Sequence, residues 1–324
     1  METILEVKNL RVSFTTQQQK IYAVNGVDFS VARGEILGIV GESGCGKSVT
    51  ALSILGLVPS PPGSIDSGQV LYAGKNLLNL TPKQWRSIRG EKISMIFQDP
   101  LSSLNPVLTI GQQMGEILKY QKGLNFKERL SSIYELLVKT KITQPELRVK
   151  QYPHELSGGQ RQRVMIGMSL SCNPDILIAD EPTTALDVTV QANVLRLMKT
   201  LCRENGTALI LITHDMGVIA KMCHRVVVKY AGYVVETANT KDLFNNPAHP
   251  YTVGLLLSLP RFDQQKRRLF SIEGQPPSLK KLPVGCPFAE RCHKAKEICR
   301  CQVPELENHN EKHTVRCFFP EGKD

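Results

Sequence analysis

Long hydrophobic runs are missing from this sequence. No apolar run approaches the roughly 18 to 20 residues that a bilayer-spanning helix needs. The first residues, METILEV, also lack the basic and apolar regions of a secretory signal peptide. We therefore expect a cytosolic chain. If it serves a membrane process, it does so as a peripheral subunit whose membrane-spanning partners are separate chains.

Dense patches of one charge are also missing. The formal net charge of +10 permits attraction to anionic lipid, nucleotide or nucleic acid. The basic residues are nevertheless scattered, and we interpret the tight triplet Lys266–Arg268 as a solvated face. Internal repeats and coiled-coil insertions are absent too. With 41% apolar and 22% charged residues, the 324-residue chain has the composition of a globular protein of one large or two modest domains.

A glycine-rich loop joins two segments of regular structure. Residues 35–40 predict a short buried strand and residues 47–55 a helix, so the loop GESGCGKS at 41–48 lies at a strand-to-helix junction. Backbone N–H groups and the positive end of the helix dipole can face a phosphate there. Lys47 can reach the β- and γ-phosphates, and the Ser48 hydroxyl can ligate Mg²⁺. A chance glycine turn does not explain this context. The residues expected to line the nucleotide site are Gly41, Ser43, Gly44, Cys45, Gly46, Lys47, Ser48 and Val49.

Two carboxylates end a second apolar run. Residues 175–179 predict a buried parallel strand that leads into Asp180 and Glu181, and ligands of doubly wound sheets bind at the carboxyl ends of strands. We expect Asp180 to hold the Mg²⁺ water shell and Glu181 to polarise the attacking water. A third run, 208–213, leads into His214, which can contact the γ-phosphate. The alternative is that Asp180 and Glu181 are solvated acids at the start of a helix. The phosphate loop and His214 favour the catalytic interpretation over this alternative.

The segment LSGGQ at 156–160 has the chemistry of a second, weaker phosphate loop. Ser157 and the N–H groups near Gly158 and Gly159 lie at the start of a predicted helix, 160–170, and so form an anion site. This segment cannot serve the same ATP in the same subunit. If it contacts the γ-phosphate from across a dimer, ATP holds the dimer together and hydrolysis releases it.

Six elements in this order resemble the nucleotide-binding subunits of ATP-binding cassette (ABC) transporters. They are the loop 41–48, Gln98 after a strand, the signature 156–160, the pair 180–181, the D-loop 185–187 and the switch His214. The resemblance implies an α/β fold, a P-loop domain with a RecA-like core, an antiparallel β subdomain and a helical subdomain, about 99–170, that carries the signature. It also implies head-to-tail dimers in which each ATP lies between the phosphate loop of one subunit and the signature of the other.

The resemblance also implies the roles of single residues. The catalytic residues would be Glu181, His214 and Gln98, and the Mg²⁺ ligands would be Ser48, Gln98 and Asp180. The signature residues Ser157, Gly158, Gly159 and Gln160 would act on the nucleotide of the other subunit, and Asp187 would be the D-loop residue. The family stacks adenine on an aromatic residue after the first strand. By position Phe14 fits that role best, Tyr22 is the alternative, and either could belong to the core.

Cysteine use is uneven. Five of the nine cysteines fall after residue 285, and paired C-x-x-C knuckles are absent. In a reducing cytosol, clustered thiols suggest a metal site or free thiols. The surrounding sequence resembles the C-terminal extension of the oligopeptide/dipeptide/nickel branch, which implies a [4Fe-4S] cluster on Cys286, Cys292, Cys299 and Cys317. Thiolates suit such a cluster or zinc, and free thiols stay open. Cys301 leaves the choice of the third ligand slightly open.

The branch resemblance covers nearly the whole chain. Segments 98–106, 152–155, 247–252 and 273–277 are typical of peptide-importer motors. We expect an ABC nucleotide-binding domain over 1–260, with a trailing helix over 239–260, and a cysteine-bearing extension over 261–324.

The implied function is an ATPase that drives import of peptides, or of a related solute such as nickel. It would work on the cytoplasmic face of the inner membrane with two permeases, a second and homologous ABC ATPase and an extracytoplasmic binding protein, without nucleic acid. The alternative is a soluble ABC ATPase acting in DNA repair or translation. That class usually shows long coiled coils or two cassettes in one chain.

Overall fold

A computed structural model describes residues 2–17, 19–99, 103–184, 186–259 and 271–322. The strands are β1 (Thr3–Thr15), β2 (Lys20–Ala32), β3 (Ile36–Val40), β4 (Gly63–Tyr72), β5 (Lys75–Asn76), β6 (Ile93–Ile96), β7 (Ile176–Asp180), β8 (Ala208–Ile212), β9 (Arg225–Tyr230), β10 (Tyr233–Asn239), β11 (Glu307–Asn310) and β12 (His313–Val315). The α-helices are α1 (Lys47–Ile54), α2 (Pro82–Arg86), α3 (Ile110–Lys122), α4 (Phe126–Lys139), α5 (Pro145–Arg148), α6 (Gly158–Leu170), α7 (Val188–Asn205), α8 (Met216–Met222), α9 (Thr240–Asn245), α10 (Pro250–Leu257) and α11 (Glu297–Cys301).

The chain forms two compact units. The first contains residues 1–32, 36–78 and 212–324, and the second contains residues 33–35 and 79–211. In the first unit, an antiparallel sheet has the strand order β2-β1-β4-β5. The apolar residues of β1, such as Leu5 and Val12, are buried and lie opposite Val31 and Val24 of β2. Burial of alternate side chains is what a sheet with one covered face requires.

The phosphate-loop strand belongs to a second sheet of the first unit. In it, β3 pairs in parallel with β9, and β9 and β10 form an antiparallel hairpin. Ala231 and Gly232 both have positive φ, 46° and 89°, which a tight two-residue hairpin turn requires. All five residues of β3 are buried, as expected for a strand covered on both faces.

The C-terminal residues join this second sheet. Strand β12 pairs with β10, and β11 pairs with β12. The fully buried Glu236 of β10 holds the region together, because its carboxylate accepts hydrogen bonds from the N–H groups of Ala248 (2.7 Å) and His249 (2.8 Å) and lies 2.6 Å from Nε2 of His313. The boundary predicted near residue 260 falls beside residues outside the described ranges, so it stays a prediction.

The second unit combines a short sheet with a helical region. Strands β6, β7 and β8 are neighbours in that order, and the residues of β7 and β8 are all buried. Helices α3, α4 and α6 pack around one apolar core that includes Met114, Leu137 and Val164. Reciprocal capping boxes fix the N-termini of these helices, for example Thr109 with Gln112 in α3.

Most predicted elements are confirmed, with one correction. The strands expected at 35–40, 175–179 and 208–213 and the helix expected at 47–55 are present within one or two residues. The single helix predicted over 239–260 is wrong. Two helices, α9 and α10, replace it, because Pro247 cannot continue a helix and His249 caps the second one ahead of Pro250. No helix of the described residues is long and apolar enough to span a membrane.

Candidate nucleotide-binding site

The loop between β3 and α1 has backbone conformations and contacts that require glycine. Gly41 and Gly46 have φ values of 152° and 88°. A Cβ atom on Gly41 would lie 2.1 Å from the carbonyl oxygen of Lys229, and one on Gly46 would lie 2.0 Å from that of Ala23. Gly46 caps α1 without a side-chain hydrogen bond. The N–H groups of Ser48 and Val49 lie at the positive end of the helix, where an anion is favoured.

Lys47 lies across this loop. Its side chain is 6% exposed, and Nζ donates hydrogen bonds to the carbonyl oxygens of Gly41 (2.8 Å) and Glu42 (3.1 Å). The loop thus holds the ammonium at its centre without a carboxylate. Ser43 and Gly44 are exposed at the tip, and Cys45 is buried beneath them. Burial raises the pKa of the Cys45 thiol. The predicted loop residues are therefore brought together around one concave backbone segment.

A second lysine lies beneath the loop. Lys229 in β9 is fully buried, and its Nζ donates to the carbonyl oxygen of Gly46 (3.0 Å) and to Oγ1 of Thr50 (2.5 Å). Burial lowers the pKa of Lys229 to about 8. No sequence motif includes this residue. Its signal was a single charged residue inside the apolar run 226–230.

The C-terminal segment contacts the loop directly. The guanidinium of Arg291 binds the Glu42 carboxylate with two hydrogen bonds, of 2.8 and 3.1 Å, and donates a third to the Tyr230 hydroxyl (3.1 Å). The backbone N–H of Glu42 donates to the Tyr251 hydroxyl (2.9 Å). Phe288 packs edge-on against both tyrosine rings. These contacts fix Glu42, the second residue of the loop, and no sequence motif predicts them.

In the second unit, the structure brings Gln98 and Glu181 together. Asp180 is buried at the end of β7 (4% exposed), and Glu181 follows it with a positive φ of 44°. The Glu181 Oε2 atom accepts hydrogen bonds from Nε2 of Gln98 (3.3 Å) and from the Thr184 hydroxyl (3.0 Å). Two donors therefore orient the carboxylate that is expected to polarise water.

The signature segment contacts the start of α7. Ser157 caps α6: its hydroxyl accepts from the N–H of Gln160 (3.3 Å), and the Gln160 side chain accepts from the N–H of Ser157 (3.0 Å). A Cβ atom on Gly159 would lie 2.7 Å from Cγ1 of Val190. The Asp187 carboxylate caps α7 by accepting from the N–H of Val190 (2.9 Å). Signature and D-loop residues are thus joined through α7, and α6 begins two residues earlier than predicted.

The remaining predicted residues of the nucleotide site lie in the first unit. His214 is exposed just before Asp215, whose carboxylate caps α8. Phe14 and Tyr22 are both half-buried, on β1 and β2. A Cβ atom on Gly63 would lie 3.0 Å from the Phe14 ring. Neither aromatic ring is fully enclosed, so the adenine-stacking role stays a prediction for either.

Four cysteines line one enclosed cavity in the first unit. Cys286, Cys292, Cys299 and Cys317 share it with apolar side chains that include Phe288 and Phe319. Burial raises the pKa of the Cys286 and Cys292 thiols, and it raises that of Cys317 to about 12. Within the described residues, no group of three or more His, Cys, Asp or Glu side chains is placed to hold a metal ion. The predicted iron–sulfur cluster is therefore not confirmed by this geometry.

An apolar groove opens beside the strand that precedes Gln98. It has a volume of about 420 Å³ and is lined mainly by Phe97, Leu104, Tyr120 and Met165. The Tyr120 side chain is 77% exposed. Exposed aromatic surface of this kind is typical of a protein-binding face.

Two families match the chain. Residues 24–184 match the ABC transporter family, and residues 235–299 match the oligopeptide/dipeptide transporter C-terminal region.

The chain is similar to curated transport proteins along its whole length. It is 51% identical to the oligopeptide transport ATP-binding protein AppD of Bacillus subtilis, over 99% of this chain and 98% of the relative. It is 49% identical to the dipeptide transport ATP-binding protein DppD of the same organism, over 100% and 96%. Identity to the oligopeptide transport ATP-binding protein OppD of Salmonella typhimurium is 47%, over 98% and 94%.

Solved structures agree with this likeness. A dimeric post-hydrolysis state of the ATP-binding cassette MJ0796, bound to ADP and Pi, matches with a TM-score of 0.66 and 28% identity, over 73% of this chain and 99% of that one. Another dimeric structure of MJ0796 matches with a TM-score of 0.65 and 30% identity, over the same shares.

Proposed function

Because the chain belongs to the ABC transporter family, as an ATP-binding subunit of the oligopeptide/dipeptide branch, we propose that it is the ATP-hydrolysing motor of a peptide importer. The observation that carries this proposal is the loop 41–48, where the open N-terminus of α1 and the centred Lys47 ammonium face the same concave surface. Such a surface fits the triphosphate of ATP.

Oxygen ligands at the site suit Mg²⁺. The Ser48 hydroxyl, the buried Asp180 carboxylate and the Gln98 amide oxygen are the hard donors that this ion prefers. When bound, the ion would neutralise charge that develops on the transferred phosphate. Glu181 is the general base for the attacking water, with its carboxylate oriented by Gln98 and Thr184. His214 supplies a polar contact to the γ-phosphate.

The signature acts on a nucleotide held by a second motor. In its capping role the Ser157 hydroxyl accepts a hydrogen bond from Gln160, so its own proton is available to a phosphate oxygen. The contact between Gly159 and Val190 supports joint movement of the signature with Asp187 at the start of α7. ATP then closes the dimer of motors, and hydrolysis opens it. We propose a homologous, non-identical chain as that second motor.

The apolar groove at Phe97 and Tyr120 is proposed as the contact for the permeases. Phe97 lines the groove and directly precedes Gln98, which contacts Glu181. A permease segment bound there would contact Phe97, and a movement of Phe97 would shift the adjacent Gln98 relative to the Glu181 carboxylate. We propose that two permeases contact the motors and that an extracytoplasmic binding protein delivers the peptide. The motor would then lie at the cytoplasmic face of the membrane.

The four-cysteine cavity is proposed to hold a [4Fe-4S] cluster in a C-terminal extension over 261–324, after the nucleotide-binding domain over 1–260. The chemical type of the donors supports this proposal, because four thiols line the cavity and thiolates are the ligands that such clusters use. When bound, the group would be a redox centre or a structural crosslink between segments of the extension.

Anaerobic purification tests the cluster. We expect a brown protein with iron and sulfide in near-equal amounts, and loss of both in Cys292→Ser. Zinc in place of iron, or a colourless, metal-free and fully active protein, would refute the proposal. Cys301→Ser, at an exposed thiol, is the matched control and keeps its iron.

The peptide-importer function is tested in the assembled transporter. The chain is reconstituted in vesicles with its permeases, second motor and binding protein, and ATP hydrolysis is measured with and without peptide. We expect peptide-loaded binding protein to stimulate hydrolysis and internal peptide to accumulate. Stimulation by nickel chelates alone would reassign the cargo. Purification with DNA or ribosomes and without any membrane protein would favour the soluble alternative.

A further inference from the structure

The proposed function assigns no role to the buried ammonium of Lys229. Lys229 lies in β9 between Val228 and Tyr230, and all three side chains are buried. A lysine in such surroundings costs free energy, because burial disfavours its charged form. Methionine would fill a similar volume at this position without that cost. A specific benefit is therefore expected from the charge.

The hydrogen bonds of Lys229 direct the charge at the phosphate loop. Its Nζ donates to the Gly46 carbonyl oxygen at 3.0 Å and to the Thr50 hydroxyl at 2.5 Å. The same Gly46 oxygen accepts from the N–H (3.0 Å) and the hydroxyl (2.8 Å) of Thr50. Lys229 thus holds the N-terminus of α1, whose open N–H groups face the nucleotide.

The loop also closes tightly on this lysine. A Cβ atom on Gly41 would lie 2.1 Å from the Lys229 carbonyl oxygen, and one on Gly46 would lie 3.5 Å from its Nζ. Both ends of the loop therefore contact the same residue of β9. A side chain at position 41 would clash with the Lys229 backbone, and the ammonium lies within ordinary contact distance of position 46.

The ammonium has neutral hydrogen-bond partners. Both of its acceptors are uncharged oxygens. Within the described residues, the titratable groups that act on it are the Cys45 thiol and the Lys47 ammonium, and neither is a carboxylate. A buried cation with neutral acceptors gains from any anion that binds nearby. The nearest anion site is the cradle above Gly46.

We propose that Lys229 is a second cation for the bound triphosphate: it positions the loop from beneath through Gly46 and Thr50, and its charge stabilises the phosphates above. Lys229 is a positioning residue, since it reaches the nucleotide through the loop rather than by contact. This inference rests on the proposed placement of ATP on residues 41–48.

Nucleotide affinity and stability move in opposite directions in the decisive variant. MgATP binding by the full-length chain is measured by calorimetry, and unfolding of the nucleotide-free chain by heat, for the wild type, Lys229→Met and Lys241→Met. We expect Lys229→Met to bind MgATP about tenfold more weakly, which corresponds to one pKa unit of linkage between proton and nucleotide. It should also unfold at a higher temperature. Lys241→Met, exposed on α9, changes neither.

A second arm needs no variant at the site. As pH rises from 7 to 9.5, Lys229 loses its proton, because burial lowers its pKa to about 8. The affinity of the wild type and of Lys241→Met for MgATP should therefore fall by about tenfold over this range. In Lys229→Met the fall should be much smaller, because the group that loses its proton over this range is absent.

Two outcomes overturn the inference alone. They are equal MgATP affinity of Lys229→Met and the wild type, and a wild-type affinity that does not change between pH 7 and 9.5. Affinity and thermal stability that fall together in Lys229→Met would assign the lysine a structural role instead. A wild type that binds no MgATP, or a Lys47→Ala variant that binds it fully, would overturn the proposed function.

Discussion

Glu181 stands in an unusual backbone conformation for a residue with a Cβ atom. Its φ of 44° lies in the left-handed region, directly after the buried β7. Positions of this kind cluster at functional sites, where the surrounding structure holds the strain. Here the conformation turns the chain out of the strand and presents the carboxylate to Gln98 and Thr184. The general-base role proposed for Glu181 depends on this orientation.

Replacing Glu181 with Gln removes the base but keeps the shape of the side chain. We expect the rate of ATP hydrolysis to fall by about 10²- to 10⁴-fold, the usual contribution of general-base catalysis. ATP affinity should be retained, and ATP should hold the motors in a long-lived dimer. Single-turnover hydrolysis and size-exclusion chromatography with ATP measure the two effects. Wild-type hydrolysis in this variant would remove Glu181 from the role.

Lys229 also predicts how stability depends on pH. Its pKa is lowered by burial from 10.5 to about 8, so the charged form destabilises the nucleotide-free fold. At about 1.36 kcal/mol for each pKa unit, the cost is about 3 kcal/mol. The cost is fully present below pH 8, declines as pH rises, and vanishes above about 10.5, because only there are both states deprotonated.

Chemical unfolding at several pH values checks this dependence. We expect Lys229→Met to be more stable than the wild type at pH 7, with the difference shrinking steadily between pH 8 and 10. Lys241→Met should follow the wild type throughout. A difference that stays constant with pH would mean that packing, rather than charge, decides the effect.

At the scale of elements, the N-terminus of α6 has two tasks. Ser157 caps the helix, and its hydroxyl also faces a nucleotide held by another motor under the proposed function. Replacing a capping serine with alanine costs about 1 kcal/mol of stability. This cost is modest, so the variant Ser157→Ala remains folded and reports on catalysis.

Ser157→Ala should separate binding from hydrolysis. We expect ATP affinity of the isolated chain to be unchanged, because the phosphate loop lies elsewhere in the chain, whereas hydrolysis in the assembled transporter falls at least tenfold. Thr109→Ala removes an equivalent cap from α3 and serves as the control, with similar loss of stability and normal hydrolysis. Equal hydrolysis by both variants would argue against a signature in trans.

An ion pair between Arg291 and Glu42 joins the C-terminal segment to the phosphate loop. Arg291 leaves the short 3-10 helix 289–291 with a side chain that is 5% exposed and binds Glu42 through two parallel hydrogen bonds. Bidentate pairs of this type are stronger and more directional than single hydrogen bonds. Cys292, which follows Arg291 in the chain, lines the cysteine cavity. Arg291 therefore connects this cavity to Glu42 of the phosphate loop.

A double-mutant cycle measures this link. We expect Arg291→Gln to lower the free energy of unfolding by about 3 kcal/mol, because it leaves the Glu42 carboxylate without its partner in a partly buried site. The double variant with Glu42→Gln should lose less than the sum of the single losses, as residues in contact couple. The exposed pair Glu135 and Lys139 is the control, and we expect no measurable coupling between its two members. Additive losses at Glu42 and Arg291 would exclude a direct pair.

At the scale of the whole molecule, one chain supplies an incomplete catalytic site under the proposed function. Under that proposal the signature serves the nucleotide on the phosphate loop of the other motor, so two motors meet for each hydrolysis. ATP then acts as a ligand of the dimer, and occupancy of the dimer sets the rate.

Hydrolysis by an equimolar mixture of this chain and the proposed second motor should therefore depend steeply on protein concentration. We expect the rate per chain to rise as concentration increases and to level off once the dimer is populated. Steady-state phosphate release over a hundredfold range of protein measures this. The Glu181→Gln variant gives the background. A rate per chain that stays constant over the range would contradict a shared site.

Much of the architecture was predictable from local sequence, for physical reasons. Strands β3, β7 and β8 are continuous apolar runs because buried parallel strands need no polar face. Glycines at both ends of the phosphate loop permit a backbone that other residues cannot adopt. The single helix predicted over 239–260 is wrong, because Pro247 cannot continue a helix.

The chemical groups and their local settings follow from the amino-acid order alone: the glycine cradle, the caps of α1, α6 and α7, and the acidic end of β7. Which distant residues meet depends on the folded arrangement. Gln98 reaches Glu181 across 83 positions, and Arg291 reaches Glu42 across 249. Lys229 lies under Gly46, 183 positions away. Such contacts follow from packing of the sheets, and no local pattern of side chains encodes them.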